Sequence, residues 1–538
     1  MATVHRLPSS WLLRQPEAQL ALAVTIIGLL YLHWTPLVPD LAAQVARANV
    51  VHDSGITSWW TGWFGGLSMP TYSVLVPPGM AVFGPRIIGL AAVVLGAAGT
   101  ANLTRDALRP RAGAIAFAVS GFADLLDGRV TFTSGLAFAA WALVTLRAGR
   151  LWAGVILSVA AYFASPLAGL FLGMILVAVA VTESTRRQAA LWAASSLLVV
   201  GASMALMFPG TGTMPISVLD TVPAALCVLG VGLLCPHRLI RVATIIVAAA
   251  FPLFLLVPGA VGNNITRLAW VAAVPIVVAC APLPRRFLVA AAVLLAIWPA
   301  SDLVGQLGSA AGPSAQQAFY QPVRTEITKE QAEAGAVTIG QRVEVVDTAN
   351  HWGSVYLSAL SLARGWDRQA DHTYNPIFYD DNQLDATTYR QWLDDLAVGW
   401  VAVPTARLDY ASVAEGSLIQ HRLAYLIPVW SSRNWHLYRV LDAAPLARGA
   451  QITSVGSGGI TMKAAAPATV AVRLRWSPYL KVTDAASGLD VAACISDVNG
   501  WVSVTLPRAG IFDLTSQFDP TARITGGATA CTPSTVDK

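Results

Sequence analysis

The chain reads as a polytopic α-helical membrane protein followed by a water-exposed C-terminal part, a small α/β domain and then a β-sandwich. Three observations predict this. Of 538 residues, 55% are hydrophobic and only 12% charged, where soluble domains carry about 25% charged residues. Long apolar runs such as 20–32 and 242–257 alternate with short Arg-bearing loops through the first 300 residues. Residues 1–300 hold 17 Arg, no Lys and 8 acids, net +9, whereas residues 301–538 hold 18 basic and 22 acidic residues, net −4. The two parts read as living in different solvents. The preference for Arg over Lys, with abundant Ala and Val, points to a GC-rich, actinobacterial genome.

Eleven spans are predicted near residues 17–34, 86–103, 112–128, 131–147, 150–164, 166–183, 188–208, 219–236, 241–258, 267–283 and 286–300. With a cytoplasmic N-terminus the inner side receives thirteen Arg, and the outer side keeps Arg47, Arg86, Arg129 and Arg267, the asymmetry that orients membrane helices. An odd number of spans then puts everything after residue 300 outside the cytoplasm of a multi-pass plasma-membrane protein. The first run has no small-residue cleavage site after it and reads as an anchor. The division expected is a membrane domain over 1–300, a linker over 301–340, an α/β domain over 341–447 and a β-sandwich over 448–538.

Ionisable groups near a bilayer tend to mark function, and here they gather on the outer side. Asp40, Arg47, His52 and Asp53 lie in the first outer loop, Asp124, Asp127 and Arg129 in the second, and Arg267 opens the tenth span. The first loop, about fifty residues long, also carries Trp59, Trp60 and Trp63, which read as interface anchors or as sugar-stacking rings. Its stretch from Asp40 to Asn49 suits a short surface helix with Asp40 at the N-terminus, where an acid also serves as a cap.

An acid just after the first span, a surface helix, Ser54-Gly55, the Gly65-Gly66-x-x-x-Pro70 element and Pro77-Pro78-Gly79 resemble the GT-C class of integral membrane glycosyltransferases. The same beginning resembles bacterial membrane proteins of the YfhO and pyruvoyl-tetrahydropterin-synthase-related type. In GT-C enzymes the acid after the first span is the catalytic base, and a second outer acid helps to hold a metal or the donor phosphate. The resemblance therefore implies Asp40 as base, with Asp53 in reserve, and Asp124 or Asp127 in the second role. It leaves room for a divalent metal ion, although no metal-ligand spacing is legible. Arg129 and Arg267 suit the phosphate of a polyprenyl-phosphate-sugar donor, and His52 suits assistance to Asp53. The acceptor implied is an envelope glycan or glycolipid at the outer face of the lipid bilayer.

After a Ser/Gly/Ala/Gln-rich connection, 342–347, 399–403, 426–430 and 436–440 read as strands, with helices over 352–362 and 387–396. Alternating segments at 459–462, 469–476, 489–494, 501–506 and 511–517 predict the sandwich. The stretches Val472–Trp476 and Asn499–Val504 also resemble the outer β-domain of those same membrane proteins. Trp366, Tyr374, Phe378 and Tyr379 read either as a glycan-binding surface or as packing residues. Cys494 and Cys531 are a candidate disulfide outside the cell.

Nucleotide-binding glycine patterns, a nucleophile elbow and zinc signatures are missing from the sequence, and an acidic outer part excludes nucleic acid as a partner. A transporter or flippase of envelope precursors, and a non-catalytic envelope-assembly scaffold, are the alternatives. The first predicts polar groups deep in several spans; the second predicts that Asp40 only caps a helix.

Overall fold

The structure is a computed structural model that describes residues 16–209, 212–214, 216–257, 259–380 and 383–525. The chain forms two compact units. One comprises Met1–Gln44, Tyr72–Ala205 and Thr213–Ala310; the other comprises Val45–Thr71, Leu206–Gly212 and Ala311–Lys538.

The first unit is helical. Its elements are α1 (Pro16–His33), the start of α2 (Pro39–Ser54), α3 (Val76–Phe83), α4 (Pro85–Leu103), α5 (Pro110–Leu126), α6 (Val130–Arg147), α7 (Leu151–Ala164), α8 (Pro166–Thr182), α9 (Arg187–Met207), α10 (Val218–Leu234), α11 (Arg238–Leu256), α12 (Arg267–Cys280) and α13 (Arg285–Ala310). A helix occupies each of the eleven places read as a span. Among the described residues, six helical segments are long and apolar enough to cross a membrane: Pro85–Leu103, Val130–Arg147, Arg187–Met207, Arg238–Leu256, Gly262–Cys280 and Arg285–Ala310. Proline opens α2, α4, α5 and α8, a position where its missing N–H is no loss. The inward faces carry small residues, such as Ala137, Ala139, Ala140 and Ala142 on α6, which let helices approach closely in lipid. Outward faces carry large apolar groups, among them Phe287, Val293, Leu294 and Ile297 on α13.

The second unit contains two β-rich parts. Strands β3 (Arg342–Val345), β4 (Val398–Pro404), β5 (Leu426–Ser431) and β6 (Trp435–Val440) form a sheet of order β3-β4-β6-β5, parallel only between β3 and β4. Its first two strands are buried along their whole length. Beyond it, β7 (Ala447–Arg448), β10 (Ala468–Arg475), β12 (Cys494–Val498) and β13 (Trp501–Leu506) make one antiparallel sheet. The facing sheet comprises β8 (Gln451–Gly456), β9 (Gly459–Ala464), β11 (Leu480–Asp484) and β14 (Gly510–Ser516). Alternate residues of both, including Val470, Val472, Val502 and Val504 against Ile460, Met462, Phe512 and Leu514, fill the core between them.

Three local readings differ from this structure. Residues 301–340, taken from their composition as a linker, are largely helical: α13 continues to Ala310, and α14 (Gln317–Ala334) follows. Phe319, Tyr320, Val323 and Ile327 bury one face of α14, a helical spacing hidden among Gln, Thr and Ser. The helix expected over 352–362 shrinks to Gly353–Tyr356, and the strand expected over 489–494 moves to Cys494–Val498. Cys494 is disulfide-bonded, whereas Cys227, Cys235 and Cys280 are free; Cys531 lies outside the described residues.

Candidate functional site

In the first unit, Asp40 occupies the first turn of α2. Its approach to the α5–α6 corner depends on Gly128, which turns the chain at φ +79°; a Cβ there would stand 2.3 Å from the backbone nitrogen of Leu41. Any side chain would clash with backbone as well as strain the turn. The next residue, Arg129, is the centre of an ion cluster. Its Nη1 lies 3.0 Å from Asp127 Oδ2 and 3.6 Å from Asp124 Oδ1, its Nε 3.4 Å from Asp40 Oδ2, and its Nη2 3.2 Å from Asp302 Oδ2. Arg267, from the start of α12, places Nη2 3.3 Å from the same Asp40 oxygen. Trp270 lies under the Arg129 guanidinium at 4.5 Å, and Thr133 donates to Asp124 at 2.7 Å.

Exposure sorts these groups. Asp124, Asp127 and Arg129 keep 2%, 6% and 6% of their side-chain surface, whereas Asp40, Asp302 and Arg267 keep 32%, 30% and 15%. The first three are a buried support, and the last three face accessible space. The structure thus brings together Asp40, Asp124, Asp127, Arg129 and Arg267 from three separate stretches of chain. It adds Asp302, which the sequence reading missed. A signal existed: Asp302 is the single charged residue between Arg286 and Arg324, but it falls just past the apolar run and was absorbed into the linker. Among the described residues, no group of three or more His, Cys, Asp or Glu side chains is arranged to hold a metal ion. Asp124 and Asp127 are both turned toward Arg129.

The other sequence candidates belong to the second unit, which begins at Val45 within α2. His52 and Asp53 are exposed on the last turn of α2. Arg47 is buried and pairs with Asp367 at 2.6 Å; burial holds that carboxyl above its usual range even beside the guanidinium. Trp59 starts a two-residue ladder, β1 (Trp59–Trp60) with β2 (Leu67–Ser68), and its ring joins the sandwich core. Trp63 is buried against Gly365, where a Cβ would stand 2.1 Å from the indole. Both rings are spent on packing, and neither offers a face for a sugar.

Trp366 and Tyr379 sit in a polar network behind the β3–β4 edge. Trp366 stacks on His351 at 3.4 Å between ring centroids, and His351 contacts Asp347 through Nδ1 and Asp409 through Nε2. Burial opposes its charge, but the two carboxylates outweigh burial and raise its pKa. Tyr379 donates to Asp371 at 2.5 Å and accepts from Arg368 at 3.1 Å. Arg364 grips Asp371 through two bonds of 3.0 and 2.7 Å and reaches Glu415 at 3.2 Å. Glu415 accepts from Tyr389 at 2.8 Å, and burial pushes its carboxyl up to about 7.

By sequence, no protein-family model matches the chain, and no curated protein matches it. Among solved structures it is similar to two of arabinofuranosyltransferase AftD from Mycobacteria, one of them a mutant. The TM-scores are 0.43 and 0.42, with 12% identity in each, covering 95% of this chain and 60% and 57% of those chains. The chain therefore spans less than two thirds of their length.

Proposed function

We propose that the protein is a membrane glycosyltransferase of the cell envelope, with Asp40 as catalytic base at the outer face of the plasma membrane. The observation that supports it is the partly exposed Asp40–Arg267 pair standing on the buried Arg129 cluster. A lipid-linked donor carries its sugar on a phosphate, and Arg267 is a permanently charged planar group suited to that anion. When the phosphate takes Arg267, Asp40 exchanges one of its two guanidinium partners for the acceptor hydroxyl. That hydroxyl oxygen attacks the anomeric carbon, the bond from that carbon to the phosphate oxygen breaks, and its electron pair leaves with the polyprenyl phosphate. Asp40 takes the hydroxyl proton and later returns it to water. Arg129, Asp124 and Asp127 hold Asp40 in place without meeting substrate. The Arg asymmetry between loops and the disulfide at Cys494 support the outward placement of the second unit.

The test is transfer of radiolabelled mannose or arabinofuranose from polyprenyl-phosphate donors to envelope extract by the purified chain. Transfer by the intact protein and its loss in Asp40→Asn, with Asp53→Asn unaffected, is the expected result. Equal transfer by intact protein and Asp40→Asn would remove the assigned base, and consumption of no donor would remove the class.

A further inference from the structure

A guanidinium has one edge formed by Nε–H and Nη2, with Nη1 on the far side. In Arg129 the two sides are used differently. Nη1 meets the buried pair Asp127 and Asp124, whereas the Nε–Nη2 edge meets the two partly exposed acids, Asp40 through Nε and Asp302 through Nη2. The division by edge coincides with the division by exposure. Asp302 is not required to neutralise Arg129, which already has three other carboxylates. With Arg267 included, the cluster holds four carboxylates against two guanidinium groups, an excess of acceptors. A carboxylate has about four acceptor sites, and Arg129 occupies one of those on Asp302. Asp302 stands just past the apolar run of α13, eight residues before the helix ends at Ala310, and an ionisable group beside a membrane span tends to mark function.

The geometry points to Asp302 as the second substrate-facing carboxylate of this site, accepting a hydrogen bond from an acceptor-sugar hydroxyl next to the one that reacts at Asp40. Hydroxyls on neighbouring ring carbons offer two O–H donors side by side. Two carboxylates drawn to one edge of a single guanidinium are disposed to receive both. Asp302 therefore selects acceptors carrying a free neighbouring hydroxyl. The inference rests on the glycosyltransferase reading.

The experiment uses the purified full chain, Asp302→Asn and Asp40→Asn, with a manno- or arabino-oligosaccharide, whichever the transfer assay consumes, and its analogue deoxygenated beside the reacting position. Asp302→Asn should raise the KM for the acceptor about tenfold or more, leave the donor KM unchanged, hold kcat near that of the intact protein, and lose the preference for the parent acceptor over the deoxy analogue. An unchanged acceptor KM, or a kcat loss matching Asp40→Asn with discrimination intact, overturns it. If the intact protein transfers no sugar, the transferase reading fails separately, and equilibrium binding of both a manno- and an arabino-oligosaccharide, each beside its deoxy analogue, decides whether Asp302 recognises sugar: weaker binding of a parent oligosaccharide to Asp302→Asn sustains that role, and equal or no binding ends it.

Discussion

Two arginines, Arg129 in the helical unit and Arg364 in the β-rich unit, each gather several carboxylates, and they differ in how the cluster is closed. Around Arg364 every charged partner is buried: Asp371, Glu415 and Glu344 retain 6% of their side-chain surface or less. Tyr379 and Asn375 donate to Asp371 and Tyr389 to Glu415, while Glu344 faces Arg364 at 3.8 Å without a hydrogen bond to either of its oxygens. Around Arg129 the contacts run from 3.0 to 3.6 Å, and one edge ends in acids that water can reach. A sealed, hydrogen-bonded cluster fixes a fold, because removing one member strands buried charge. An open one keeps charge available to exchange partners. The same residue types thus serve structure in one place and are proposed to serve chemistry in the other, with exposure as the difference.

The sharpest break between the two is expected at Asp40. Asp40→Asn should lower transfer by roughly 10² to 10⁴ while leaving thermal unfolding of the detergent-purified chain unchanged; a large fall in unfolding temperature would make this cluster structural too. Arg364→Met should do the reverse in kind, costing about 3–5 kcal/mol of stability in chemical unfolding, whereas Arg267→Met should cost under about 1 kcal/mol and raise the donor KM. Gly128→Ala tests the corner that positions Asp40, and a displaced base predicts a roughly tenfold to hundredfold loss of kcat, measured beside far-UV dichroism to verify helix content.

The smallest effect expected is in pH. Glu415, raised to about 7, binds its proton more tightly folded than unfolded, so its contribution to stability is present below the ordinary carboxylate range and lost as pH rises toward 7. His351 is also raised, so its contribution is complete below the ordinary imidazole value of 6.5 and is lost as pH climbs above it. Unfolding followed from pH 4.5 to 8.5 should therefore show falling stability of the second unit. Glu415→Gln should flatten the lower part of that slope and His351→Gln the upper part; slopes unaltered in both variants would mean that other groups titrate there.

Much of this architecture was legible beforehand because it is written in local patterns. Apolar runs of helical length mark the helices, period-two alternation marks β9, β10, β13 and β14, and the change of charge near residue 300 marks the passage from the helical unit to the β-rich one. Within the site, Asp40, Arg129 and Arg267 were legible as ionisable residues at the ends of apolar runs. Trp59 and Trp63 were ambiguous for a physical reason: an aromatic ring suits a core, an interface or a sugar equally, and only its neighbours decide. The sequence by itself determined which residues are apolar, where helices begin and which acids and arginines stand beside the bilayer. The tertiary structure alone decided that Arg129 meets partners 89 and 173 residues away and that Asp40 meets Arg267 across 227. It also decided which of those acids face water, because hydropathy is a property of neighbours along the chain, whereas ion pairing and exposure are set by chain segments that meet only when the helices pack.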